Sequence, residues 1–315
     1  MKQKLISLFG AMQLFVFLQA QPVIEHGALQ VKGTRLIDQN GKPVALHGMS
    51  FGWSCFHPRF YTAGTVHTLV NDWHCSVVRA ALGIELEGGY KQDSAKNVQH
   101  VLDVVDAAIK ENVYVIVDWH SHNINLQEAK RFFSMLAARY GTYPHLIYEV
   151  FNEPDEESWP DVKAYCTEVI REIRRFDPDN IILVGSPSWD QSIHLPAADP
   201  ITGFSNLMYT MHFYAATHEK WLRDRTEAAI QNGLPVFISE CAAMESSGDG
   251  LLNPVAWKEY VDWMDRLGLS WIGYSVSDKV ETCSVLVPGA DSDGRWPENV
   301  IKPWGQLART YLRKY

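Results

Sequence analysis

The sequence predicts a single (β/α)8 barrel, a closed parallel sheet of eight strands ringed by helices, with a β-hairpin at its N-terminal end. Three observations carry this. Eight short, mostly apolar runs recur along the chain, at 44–50, 76–82, 113–118, 146–151, 181–185, 207–213, 235–239 and 270–275. Several lack clean alternation, as expected of parallel strands covered by helices on the outside. Amphipathic helical patterns fill the spaces between runs, and no linker, low-complexity stretch or repeat divides the 315 residues. Eight β/α units in about 270 residues is the size of one such barrel. A doubly wound open sheet is the alternative, but no G-x-G-x-x-G follows a strand.

The elements follow in order. Lys2 and Lys4 precede a mostly apolar stretch over 5–18, and Leu18-Gln19-Ala20 offers a cleavage site, so residues 1–20 read as an export signal. The apolar run is too short to span a bilayer and no other segment is long enough. The expectation is a secreted or periplasmic mature chain over 21–315, one domain without a membrane span. No cysteine near the cleavage point suggests a lipid anchor. Next, Leu36-Ile37-Asp38-Gln39-Asn40-Gly41 reads as a hairpin with an Asn-Gly turn, placed to plug the barrel floor. Val98, Val101, Leu102, Val105, Ala108 and Ile109 share one helix face. So do Val162, Tyr165, Cys166, Val169, Ile170 and Ile173, ahead of a turn at Asp177-Pro178-Asp179-Asn180. Gly141, Gly233 and Gly268 stand where C-terminal glycine caps belong.

Composition narrows the function. With 46% hydrophobic and 21% charged residues the chain is globular, not disordered or collagen-like. A net charge of −9 argues against a nucleic-acid partner, which needs basic patches. The 11 Trp and 13 Tyr suit flat, uncharged ligands but serve equally as ordinary core. The five cysteines are scattered without a C-x-x-C pair, so neither a zinc site nor a disulfide framework is indicated.

In a (β/α)8 barrel, reactive groups sit where strands end. Those positions hold Arg79 at the second run, Asp118-Trp119-His120 at the third and Asn152-Glu153-Pro154 at the fourth. His212 and Tyr214 follow at the sixth, Glu240 at the seventh and Asp278-Lys279 at the eighth. Glu153 and Glu240 would face each other across one mouth, and two facing carboxylates are the minimal machinery for cleaving a glycosidic bond. Their mutual repulsion would keep one protonated and leave the other ionised. Trp189, in the loop after the fifth run, would line the cleft.

Longer motifs carry a resemblance. They include Leu-His-Gly-Met-Ser at 46–50, Asn-Asp-Trp at 71–73, Val-Arg-Ala-Ala at 78–81 and Tyr-Val-Ile-Val-Asp-Trp-His-Ser-His at 114–122. Further along are Ile-Tyr-Glu-Val-Phe-Asn-Glu-Pro at 147–154, Asp-Pro-Asp-Asn at 177–180, His-Phe-Tyr-Ala-Ala-Thr-His at 212–218 and Ser-Asp-Lys at 277–279. Together they resemble glycoside hydrolase family 5, in its bacterial secreted endoglucanase branch, over nearly the whole mature chain. The resemblance implies a retaining double displacement on β-1,4-glucan, with carboxyl groups about 5 Å apart. It implies Glu153 as acid/base and Glu240 as nucleophile. Asn152 would bond the sugar 2-hydroxyl, Arg79 and Tyr214 would orient Glu240, and His120 and His212 would line the −1 site. Lys279 would contact sugars on the non-reducing side. The polymer or oligosaccharide is the expected partner of a monomer, with no cofactor or metal.

Departures from the family pattern concern aromatic positions. Tyr274 stands where the family has a tryptophan under the −1 sugar, and Trp271 lies on the opposite strand face. Cys241 stands where an aromatic, usually tryptophan, follows the nucleophile. After the first run, Phe56 and His57 occupy places that commonly carry tryptophan platforms, although Trp53 remains. These changes leave mixed-linkage glucan, mannan or chitosan open as substrates, and a glycan-binding protein without turnover as the non-enzymatic alternative. A second enzymatic reading takes His120-Ser121-His122, with Asp118, His212 and His218, as a zinc site of the amidohydrolase kind. A Ser/His/Asp hydrolase has no G-x-S-x-G elbow to stand on.

Overall fold

The computed structural model describes residues 21–315. The expected export signal at 1–20 lies outside the described residues. A short helix α1 (Pro22–His26) leads into an antiparallel pair, β1 (Gln30–Lys32) and β2 (Arg35–Ile37). Strands and helices then alternate: β3 (His47–Phe51), α2 (Ala63–Asn71), β4 (Val77–Gly83), α3 (Ser94–Glu111), β5 (Tyr114–His120), α4 (Leu126–Tyr140) and β6 (Leu146–Glu149). The second half continues with α5 (Trp159–Ile173), β7 (Ile181–Val184), α6 (His194–Ala198), β8 (Leu207–Tyr214), α7 (Lys220–Gln231), β9 (Val236–Ala242), α8 (Pro254–Leu267), β10 (Trp271–Val276) and α9 (Pro303–Leu312). Strands β3 to β10 pair in chain order and β10 closes onto β3, every pair parallel. This is the (β/α)8 barrel with an N-terminal hairpin that the sequence predicts.

Alternation along the strands builds two apolar layers. Val77, Ile116, Ile147, Leu183, Phe237 and Ile272 form a buried cluster inside the barrel with Leu29 and Leu36 from the hairpin region. Val78, Val115, Ile182 and Ile238 instead pack with Val101, Val105, Val162, Ile170 and Trp257 of the helical ring. Each such side chain contributes roughly 1.5–3 kcal/mol when fully buried. The hairpin therefore closes the floor, and Tyr114 Oη ties it down by donating to the Gly27 carbonyl at 2.6 Å. Its turn falls at Gly33-Thr34, upstream of the expected position. Asn40-Gly41 forms a second turn, in which Asp38 Oδ1 accepts from the Asn40 and Lys42 amides at 2.8 Å and Pro43 comes opposite Ile37.

Helix ends follow their local chemistry. Thr62, Asp93, Ser158 and Asn253 cap α2, α3, α5 and α8 with side-chain oxygens. Gly268 takes the left-handed conformation expected after α8, with φ +61°. Gly141 does not, since its φ is −62°. Its glycine is required by close approach, because a Cβ there would come within 2.8 Å of the Asp177 Cβ. All five cysteines are unpaired. Among the described residues no helix is long and apolar enough to cross a membrane.

Candidate active site

The site is assembled around a buried cation. Arg79 is expected at a strand end, but it is the third residue of β4 and is fully buried inside the barrel. Burial directs its guanidinium onto other side chains. Its Nε donates to Glu149 Oε2 at 2.7 Å, Nη1 to Glu240 Oε2 at 3.1 Å and Nη2 to Asn152 Oδ1 at 2.6 Å, with Asp118 Oδ2 3.0 Å from Nη2. Burial disfavours the charge, but Asp118, Glu149 and Glu240 outweigh it and hold the guanidinium protonated. The same arginine reverses the effect of burial on Glu149, whose carboxyl falls to about 2. Burial pushes Asp118 well above the usual carboxylate range despite Arg79. His120, 2.5 Å from Asp118 through Nδ1, is lowered to about 3 by burial and by Arg79, so it is neutral.

Above this layer stand the two glutamates. Glu240 sits on β9 directly beside His212 of β8. Tyr214 Oη donates to its Oε1 at 2.8 Å and Arg79 to its Oε2, so both oxygens are oriented. Burial and the Glu240 charge keep the Tyr214 phenol protonated, as a donor must be. Glu153, just beyond β6, pairs Oε1 with His212 Nδ1 at 2.8 Å, and its Oε2 is 3.8 Å from His122 Nδ1. Ligand-type oxygens of Glu153 and Glu240, with a ring nitrogen of His212, all lie within 4.8 Å of one another.

Mutual repulsion was expected to lift one glutamate. In the structure the strongest influences on Glu153 are its own burial and the neighbouring His212. Burial does raise Glu153, but the hydrogen bond and charge of His212 above all outweigh it and hold the carboxyl below its ordinary value. His212 is raised well above its own, against burial, by Asp190, Glu149 and Glu153. Glu153 and His212 thus act on each other as a hydrogen-bonded acid–base pair across 2.8 Å.

An open groove crosses this pair. One arm, about 1310 Å³, is lined by Trp53, Phe56, His57, Leu86, His120, His122, Tyr274, Lys279, Glu281 and Cys283. The other, about 820 Å³, is lined by Trp189, Gln191, His212, Thr217 and His218. Glu153, Tyr214, Glu240 and Ser246 border both arms. A further hollow of about 720 Å³, near Val31, Phe204 and Asn206, carries no carboxylate or histidine.

Most of the expected residues converge on the groove. Trp53 stacks on His122 at 5.9 Å, and Tyr274 lies parallel to His120 with centroids 6.2 Å apart. Lys279 is exposed at the rim, bonded to Glu281 at 2.5 Å, and Trp189 is 47% exposed. Asn152 reaches the site through Arg79 but is only 1% exposed. Cys241 does not line the groove. It is fully buried, its Sγ 3.3 Å from the Ile272 carbonyl, so the departure there lies outside the cleft. Both histidines of His120-Ser121-His122 contact Trp53, with ring centroids 4.2 and 5.9 Å away, but they face different carboxylates: His120 Nδ1 meets Asp118 at 2.5 Å and His122 Nδ1 lies 3.8 Å from Glu153. Sequence reasoning missed Glu149, Asp190 and Ser239. Glu149 had a signal, since an acid within the apolar run Leu-Ile-Tyr-Glu-Val-Phe needs a buried cation, and Arg79 in Val-Val-Arg-Ala-Ala-Leu is its counterpart.

Facing carboxylates over a buried arginine, at the open mouth of a parallel barrel, define the glycoside-hydrolase class of (β/α)8 proteins. The model of the cellulase family, glycosyl hydrolase family 5, matches residues 37–280, and the chain belongs to that family. It is 40% identical to endoglucanase Z of Dickeya dadantii over 285 residues, covering 88% of this chain and 66% of that protein. Endoglucanase 5 of Pectobacterium carotovorum is 36% identical over 314 residues, with 98% and 62% covered. The chain thus spans a little under two thirds of these relatives' length. A solved structure from Cytophaga hutchinsonii superposes with TM-score 0.92 at 40% identity, covering 94% of this chain and 97% of that one. The Thermobifida fusca endoglucanase Cel5A catalytic domain, in complex with cellotetraose, gives 0.89 at 32%, covering 93% and 100%.

Proposed function

We propose that the chain is a secreted endo-β-1,4-glucanase that hydrolyses with retention, Glu240 acting as nucleophile and Glu153 as acid/base. The carrying observation is the spacing of the pair, within 4.8 Å between oxygens. Inverting enzymes hold their carboxyls about 6.5–9.5 Å apart to admit a water, and retaining ones about 5 Å. Glu240 attacks the anomeric carbon, the bond to the glycosidic oxygen breaks, and that oxygen takes a proton from Glu153. The sugar is then esterified to Glu240. Glu153, ionised, takes a proton from a water whose oxygen attacks the same carbon, and Glu240 leaves as carboxylate.

The groove's continuation on both sides of the pair supports cleavage within a chain rather than at its end. The matched relatives are named endoglucanases, and one matched structure holds cellotetraose. Because Asn152 Oδ1 is committed to Arg79, its Nδ2 remains as the donor for a sugar 2-hydroxyl. His120, Tyr274 and His212 would surround the −1 sugar. Lys279 and Trp53 would hold one arm of the substrate and Trp189 the other. We take residues 21–315 as one catalytic domain acting as a monomer, exported by the segment at 1–20.

The test is reducing-sugar release on carboxymethyl cellulose, lichenan, mannan and chitosan, beside Glu240→Gln. Activity on β-1,4-glucan that disappears in the variant, a fast fall in viscosity and a first product with β-anomeric protons are expected. Equal activity in a folded Glu240→Gln protein would reject the nucleophile, and release from mannan or chitosan alone would reject the substrate. N-terminal sequencing of exported protein should start at Gln21.

A further inference from the structure

His212 meets Glu153 through Nδ1, and its other ring nitrogen faces a buried carboxylate that the double displacement does not use. Asp190 has no exposed surface. Its Oδ1 accepts the Ser186 amide at 2.5 Å, and its Oδ2 accepts the Thr210 hydroxyl and lies 3.3 Å from His212 Nε2. The backbone that delivers it is unusual. Ser188, Trp189 and Asp190 have φ of +61°, +53° and +61°, three successive left-handed residues of which none is glycine. Such residues cost of order 1 kcal/mol or more each and persist only where the surroundings enforce them. The bend turns neighbouring side chains apart: Trp189 into the groove, Asp190 into the barrel beneath His212.

Several charged groups surround this imidazole. Glu149 Oε1 is 3.7 Å from Nε2, Ser239 Oγ is 2.9 Å away, and Glu153 and Glu240 flank the ring. Asp118 and His218 act on it from farther off. Asp118, Glu149 and Glu240 all bond Arg79, so that cation already balances part of their charge. Asp190 is the carboxylate at Nε2 without an arginine partner.

We propose that Asp190 is a positioning residue for the acid/base, holding the Nε2–H of His212 so that Nδ1 faces Glu153 and one proton is shared along that bond. The inference rests on the reading of Glu153 as acid/base. A neutral imidazole carries a single N–H. With that hydrogen kept on Nε2, Nδ1 is either a lone pair receiving the Glu153 proton or, once protonated, a donor to the Glu153 carboxylate. Without Asp190, the hydrogen of the neutral ring settles on Nδ1 and the pair loses its proton reserve. Burial lifts Asp190 above the usual carboxylate range, while His212, the Thr210 hydroxyl and the Ser186 amide act in the opposite sense and favour its charge.

Asp190→Asn keeps the shape and removes the charge. KM on a soluble β-glucan should stay within about twofold while kcat falls about tenfold, as for a weakened general acid. Losing a nearby negative charge eases loss of the shared proton, so the high-pH limb of kcat should move to lower pH by about one unit. Nitrogen-15 NMR of histidine-labelled resting enzyme should show hydrogen on Nε2 of His212 in the parent chain and its loss or displacement to Nδ1 in the variant. A folded variant with an unmoved limb and unchanged His212 nitrogens would overturn the proposal, as would a uniform fall in kcat without a limb shift. If the parent chain hydrolyses no β-glucan, the functional reading fails and the NMR arm alone decides this one. If Asp190→Asn does not fold, Thr210→Val removes a donor from Asp190 without touching His212. A smaller shift in the same direction is then required, and none overturns the inference.

Discussion

Replacing Arg79 by methionine should cost about 3 kcal/mol of stability at neutral pH, and much less in acid. The magnitude comes from Glu149, whose carboxyl stands at about 2 in the folded chain against an ordinary 4.5. At about 1.4 kcal/mol per tenfold, that interval corresponds to about 3 kcal/mol, linked first to the charge of Arg79 and in part to His212. The folded value is depressed, so this stabilisation is complete above the unfolded value of 4.5 and is lost as pH falls through that value toward 2. By pH 3 roughly 2 of the 3 kcal/mol should be gone. Asp118 and Glu240 would lose their partner too, which makes the neutral-pH figure a lower bound, in line with the roughly 3–5 kcal/mol for stripping one member from a buried ion pair. The assay is urea denaturation of parent and Arg79→Met chains at pH 7 and pH 3, followed by tryptophan fluorescence. A difference under about 1 kcal/mol at pH 7, or the same difference at both pH values, would refute the argument that this arginine offsets buried charge.

Other perturbations probe the pair and the groove. Glu153→Gln should reduce glucan hydrolysis about 10²–10⁴-fold yet spare an aryl glycoside whose leaving group needs no proton. Equal losses on both substrates would remove Glu153 from the acid role. Tyr214→Phe deletes the 2.8 Å hydrogen bond to Glu240. A bond to a charged group is worth about 1.5–3 kcal/mol, so kcat should fall at least about tenfold with KM little changed, and an unaltered kcat would argue against an orienting role. Trp189→Ala removes a half-exposed platform. KM for long oligosaccharides should rise about fivefold with thermal stability unchanged, and an unchanged KM for cellopentaose would place the substrate elsewhere.

Much of the barrel is legible without coordinates because its signals are local. Apolar runs and the i, i+3, i+4 spacing of Val101, Leu102 and Val105 record which faces must leave water, and each of the eight runs contains or overlaps an observed strand. The turn at Asp177 to Asn180 is equally local, since Asp177 Oδ1 accepts from the amides of Asp179 and Asn180 at 3.2 and 3.0 Å. The hairpin shows the limit. Asn40-Gly41 is a genuine turn, but which nearby turn joins the paired strands depends on how Leu36 meets the barrel floor.

The candidate residues are legible as types at strand ends; their roles are not. Whether Arg79 touches sugar or carboxylates depends on its burial, and the departure at Cys241 lies outside the groove because its Sγ turns toward the Ile272 carbonyl. Glu149 and Asp190 act on partners 70 and 22 residues away in the chain. The sequence by itself determined the barrel, its order of strands and the presence of a carboxylate pair, because periodicity and strand-end chemistry are written within a few residues. Only the tertiary structure decided which groups meet around Glu153 and Arg79 and which charges cancel. Those depend on distances of a few ångströms between strands remote in sequence, in a dry interior where such interactions are strongest.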